Sequence, residues 1–227
     1  GGVKLFAQRD NDPPYEFPLT DCAPGQRVYD GREIFSPANI SAEAGQRLRM
    51  WAEAWDQDEA GPNMGRSEVR MIRTVTPADF LAELAGREME LRREFERLIS
   101  AQRGLADALN RLVAQLPREG PPPGPQGQRL AALARRQDAD ARNCESIAAR
   151  FEEILDELRV NKVLRAGDER RINRRIVEPV RKLASGRMQE SAAAVAELRG
   201  GVSGDLLEAL PVWQADILQK MREILAN

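Results

Sequence analysis

Two acidic clusters and one basic stretch are the residues whose types could do chemistry. Asp10 and Asp12 flank Asn11 just before Pro13-Pro14, and Asp56 and Asp58 flank Gln57. Carboxylates grouped with an amide carbonyl are the donor set of a hard cation such as calcium. The same residue types gather in any hairpin loop, where they turn the chain, so these four are weak calcium candidates. Between 165 and 187, Arg165, Arg170, Arg171, Arg174, Arg175, Arg181, Lys182 and Arg187 outnumber Asp168, Glu169 and Glu178. Such a helix could meet phosphates or anionic headgroups. It could equally pair with acidic neighbours, and no aromatic side chains interleave for base stacking. Nucleic acid is therefore not an expected partner.

What is missing narrows the chemistry further. The 227 residues include no histidine, which removes Ser–His and Cys–His pairs and most zinc designs. Cys22 and Cys144 stand far apart without a C-x-x-C motif, so neither a disulfide framework nor a redox state can be read. Glu88, Glu90, Glu94 and Glu96 lie among Arg87, Arg92, Arg93 and Arg97, which reads as solvated ion pairs rather than an acid/base pair. No glycine-rich stretch matches a phosphate loop. A non-enzymatic protein without cofactor or metal is expected. The net charge of −2 favours no polyanion globally.

The elements that must position these residues change character near Val75. Before it, Pro and Gly recur between short alternating runs: strands are expected over 3–8, 15–19, 46–56 and 66–75, with a weaker one over 27–35. Asp56 through Gly65 would be the loop joining the last two. In the clearest strand Leu48, Met50, Ala52 and Ala54 alternate with Arg47, Arg49, Trp51, Glu53 and Trp55. That alternation puts Trp51 and Trp55 on the outward face, as a partner patch or beneath a neighbouring element. Short strands with frequent turns suggest part of an immunoglobulin-like β-sandwich over 1–75, whose first strands are expected to precede Gly1.

From Thr76 the period becomes about three and a half. Thr76 can cap, Pro77 suits a first helical turn, and Asp79 complements the macrodipole. Leu84, Leu91, Leu98, Leu105 and Leu112 recur by sevens, with Leu81, Phe95, Leu109 and Leu116 on a second seam. Helices are expected over 77–116, 128–165, 169–199 and 205–226, with a Pro-rich linker over 117–127 and a kink at Pro179. Ala166-Gly167-Asp168 should break the second helix and cap the third. Gln137 and Asp140 interrupt the seam of the second helix, where polar residues commonly set register or partner choice. The fold class is α+β, mainly α: a partial sandwich followed by an antiparallel three- or four-helix coiled-coil-like bundle.

The run from Leu48 to Asp58 and on through Gly61-Pro62-Asn63-Met64-Gly65-Arg66-Ser67 resembles the last hairpin of immunoglobulin-like domains in certain large planctomycete-type envelope proteins. Thr76 to Phe80, Glu94 to Ile99 and Gln102 continue the likeness, which covers 46–116. Separately, Asp10 to Phe17 resembles the calcium linker of cadherins. The envelope resemblance implies an extracytoplasmic, periplasmic setting in a membrane-anchored protein and no activity. Membrane attachment is then expected only through segments outside this chain. The expected role is a scaffold or interaction component that binds a protein partner or itself through the helical seam, Trp51 and Trp55, or Arg170, Arg171, Arg174 and Arg175. The alternatives are calcium-dependent adhesion, or nucleic-acid or anionic-lipid binding through the third helix.

Overall fold

A computed structural model describes residues 2–17, 40–56 and 63–226. Among these residues the fold is mainly helical, with one small antiparallel sheet and four helices. The chain divides into a sheet-bearing unit, Gly1–Ala82, and a helical unit, Glu83–Asn227.

In the first unit the strands are β1 (Gly2–Arg9), β2 (Tyr15–Phe17), β3 (Arg47–Trp55), β4 (Met64–Arg66) and β5 (Arg70–Arg73). Their order is β2-β1-β3-β4, with β5 paired to β3 on the edge that β4 also uses. The final strand expected over 66–75 is thus confined to β5, while β4 occupies the end of the expected loop, with an interruption between the two. Ser67 explains the interruption: its N–H donates to the Ala52 carbonyl at 2.9 Å, and its hydroxyl accepts the Ala52 N–H at 2.9 Å. A side chain there replaces a rung of the backbone ladder. The strand expected over 27–35 lies outside the described residues, and among those described the strands form a single sheet.

Both faces of β3 bury a side chain. Leu48 is covered on one face and Trp51, 6% exposed, on the other. Phe6, directly opposite Trp51 on β1, stacks on it with ring centroids 5.4 Å apart. The Arg66 guanidinium lies over the same indole at 4.3 Å. At the far end Trp55 lies across Gly2, where a Cβ would come within 2.4 Å of its ring. A side chain at position 2 would have to push that indole aside.

The helices are α1 (Pro77–Val113), α2 (Gly124–Val160), α3 (166–197) and α4 (Gly204–Leu225). The Thr76 hydroxyl accepts the Asp79 N–H at 3.1 Å and donates to its carboxylate at 2.7 Å, closing the start of α1. α2 begins four residues before the expected 128. Pro125 falls within its first turn, where a missing N–H costs nothing. It ends at Val160 rather than 165, because Lys162 takes a left-handed φ of 56°. α3 starts at Ala166, so Asp168 sits inside its first turn and accepts the Arg165 N–H at 3.0 Å. The kink expected at Pro179 is instead a widened, π-helical stretch, Glu169–Val177, with a second at Ala184–Met188. The Glu178 N–H reaches back five residues to Asn173. That wider turn makes room for a proline ring that would strike the carbonyl four residues earlier.

Side-chain partners show how the helices run. Between α1 and α2, Arg87 meets Glu157, Glu94 meets Arg150, and Gln102 meets Gln137. Between α2 and α3, Glu152 meets Arg181 and Cys144 meets Met188. Between α3 and α4, Arg187 meets Asp216 and Ser191 meets Gln214. In each set one number rises as the other falls, so sequential helices are antiparallel, and Gln102 to Gln214 closes α4 back onto α1. All five heptad leucines of α1 are buried. At one end Leu109, Leu116, Leu130, Leu198, Val202 and Leu210 pack together. There the Val202 N–H donates to the Gly120 carbonyl at 2.9 Å, joining the two loops.

Candidate functional site

The residues singled out from the sequence separate into four groups. The acidic clusters do not come together. Asp10 and Asp12 follow β1 at the Arg9–Leu48 end of the β1–β3 pair, whereas Asp56 follows β3 at the Gly2–Trp55 end. Seven residues of strand separate these ends, roughly 23 Å at about 3.3 Å per residue. The Asp12 carboxylate accepts from the Arg9 Nε at 2.6 Å. Asp56 accepts the Asn63 N–H at 2.7 Å and its amide at 2.9 Å. Asp10, at a φ of 45°, lends its carbonyl to Arg49 at 2.8 Å. Asp58 lies outside the described residues, and among those described no three metal-ligating side chains gather.

Trp51 is not an open patch, because Phe6 and Arg66 enclose it. Trp55 is half-buried, with Lys4 Nζ 5.5 Å from its ring. The outward side of the sheet unit is found elsewhere: every residue of β4 and β5 is exposed, Met64 at 73% and Met71 at 60%. Among the described residues no strand pairs with their outer edge.

Gln137 belongs to a layer that the sequence only half revealed. Gln102, Gln137, Ser191 and Gln214 come one from each helix, and each is 0–1% exposed. The Gln102 amide nitrogen donates to Gln137 Oε1 at 3.0 Å and to Gln214 Oε1 at 2.6 Å. Gln137 donates back to Gln102 Oε1 at 3.0 Å. Gln214 donates to Gln137 Oε1 at 2.9 Å and to Ser191 Oγ at 2.7 Å. Every amide oxygen and nitrogen in the layer has a partner, the condition under which buried polar groups are tolerated. Gln102 continues the spacing by sevens of Leu81, Phe95, Leu109 and Leu116, so the signal for it was present.

Asp140, one turn beyond Gln137, is less well served: its Oδ2 is buried with no hydrogen-bond partner among the described residues. Burial pushes its carboxyl above the usual Asp range, with Arg136 one turn back opposing the rise. A turn further on, Cys144 is a free, buried thiol 3.7 Å from Met188 Sδ. Burial, reinforced by Asp140 and Glu145, raises it to about 12. A thiol held protonated in this way is a poor nucleophile and a packing residue at neutral pH.

The basic group splits in two. Arg171 is half-buried, paired with Glu88 of α1 and 3.9 Å from Asp168. Arg170, Arg174 and Arg175 are exposed. The charged side chains of α1 bridge between helices more than along their own: Glu94 pairs with Arg150 at 2.6 Å, and Arg87 pairs with Glu157 at 2.8 Å. An open groove of about 360 Å³ lies between α1 and α2, lined by Ala108, Arg111, Gln115, Arg129 and Leu133. No protein-family model matches the chain, and neither the curated proteins nor the solved structures compared with it give a match.

Proposed function

We propose that this chain is a non-enzymatic scaffold component of a bacterial cell envelope that docks a protein partner along the edge formed by β4 and β5. In this reading the sheet is part of an immunoglobulin-like sandwich, and the helices pack as a coiled-coil-like bundle that serves as a strut. The observation that carries it is the exposed β4–β5 edge with Met64, Met71 and Ile72 at 73, 60 and 41% exposure. An extended segment can add to such an edge through main-chain hydrogen bonds, with side-chain contacts supplying selectivity. The helical unit fits a strut because its core amides are spent on one another and many of its ion pairs run between its own helices. The envelope setting is supported by the resemblance over 46–116. None of the described helices is long and apolar enough to cross a membrane.

The test uses light scattering and native mass spectrometry on the purified chain, followed by capture from a bacterial envelope fraction. The expected result is a defined complex or self-association that Met64→Lys with Met71→Lys abolishes while the fold, by circular dichroism, is unchanged. A strict monomer that captures nothing, or a complex indifferent to the double substitution, refutes the reading.

A further inference from the structure

We infer that the turn between α2 and α3, with the first turns of α3, is a docking tip for an anionic phospholipid surface. The inference goes beyond the edge-docking reading and does not depend on it.

The acidic side chains around this turn already have partners. In this region Asp156 pairs with Arg159, and Glu157 pairs with Arg87. Glu169 also pairs with Arg159, while Asp168 serves Arg171 and the Arg165 N–H. Glu178 accepts from Asn173 at 2.9 Å. The first four carboxylates are thus paired with cations, and Glu178 is held by a neutral amide. Lys162, Arg165, Arg170, Arg174 and Arg175 are all exposed, and among the described residues none has a carboxylate within salt-bridge reach. Helix electrostatics account for Lys162 but not for the others. Lys162 follows the C-terminus of α2, where a cation is favoured, but Arg165 stands at the positive N-terminus of α3. In the widened stretch Glu169–Val177 residues four and five apart become neighbours, which gathers Arg170, Arg174 and Arg175 on one face. Like charges so placed repel within the molecule. An anionic surface relieves that repulsion.

The apolar half of the tip decides between lipid and nucleic acid. Val160 is 71% exposed and stands two residues before Lys162, with half-buried Val163 and Leu164 next in the chain. Aliphatic side chains amid cations suit the boundary between headgroups and acyl chains. Base stacking needs aromatic rings, and residues 159–175 contain none.

The experiment is vesicle co-sedimentation of the full chain with phosphatidylcholine alone and with phosphatidylcholine mixed with phosphatidylserine. Sedimentation is expected only with the anionic vesicles and should weaken as salt rises. Each cation near such a surface is worth about fivefold in partition, so Arg170→Ala, Arg174→Ala and Arg175→Ala together should weaken it on the order of a hundredfold. Val160→Ser should remove the binding that survives at high salt. All four positions are exposed, and an unchanged thermal melt would verify that the variants fold. Equal binding to neutral vesicles, no binding to anionic ones, or full binding by the triple variant overturns the inference. So does displacement from the vesicles by duplex nucleic acid that depends on the same three arginines.

Discussion

Replacing Gln102 with leucine tests whether the amide layer acts as a unit. The substitution keeps the side chain's bulk and removes three hydrogen bonds at once. Gln137 Nε2 loses the oxygen it donates to, and Gln214 Oε1 loses the N–H it accepts. Gln137 Oε1 keeps the Gln214 donor, and Ser191 keeps its partner. Two buried polar groups are thus orphaned, at about 1–3 kcal/mol each. Burying a leucine in place of the amide returns roughly 1–2 kcal/mol, so the net loss should be about 1–4 kcal/mol. Converting the whole layer, with Gln102, Gln137 and Gln214 to Leu and Ser191 to Ala, leaves nothing orphaned and should cost less than Gln102→Leu alone. Urea denaturation followed by helical circular dichroism measures both. If the fourfold variant loses as much as its single substitutions added together, the layer is a set of independent contacts and this reasoning fails.

Two further predictions concern the groups beside the layer. Asp140 has a folded-state pKa raised by burial, so its contribution to stability is greatest in acid and is lost as pH rises through that raised value. Asp140→Asn should therefore gain on the parent protein as pH climbs above the ordinary Asp range, and parallel melting-temperature curves for the two would contradict this. Cys144, raised to about 12 and fully buried, should be labelled by a thiol reagent in a Cys22→Ser background only after denaturant is added. Prompt labelling of the native protein would show that the thiol is reachable.

Much of the helical architecture was legible because one signal repeated without competition. Leu84 through Leu112, Ile172 through Leu183 and Ile217 through Ile224 declare their buried faces by spacing alone. The layer was harder to read. Gln102 holds a seam position but is polar, and Gln214 stands next to Trp213, whose size draws it into the apolar stripe although it is only half-buried and lies beneath Arg187. Ser191 follows two widened turns, which shift the helical phase so that no single period carries from Ile172 to it. In the sheet, alternation alone assigned Trp51 to the outside. It could not reveal that Phe6 lies directly opposite or that Arg66 folds over the ring. Nor could it show that a serine side chain would stand in for a backbone rung between β4 and β5.

The amide layer also answers a problem that the leucine ladder creates. Side chains repeating every seven residues are graduations without numerals: α1 could slide along its neighbour by one repeat, about 10 Å at 1.5 Å per residue, and find leucines waiting again. After such a slip Gln102 would face Leu130 or Cys144 in place of Gln137, and both are apolar and wholly enclosed. The amide would be stranded in hydrocarbon. One unrepeated rung of glutamines thus gives the ladder its zero mark.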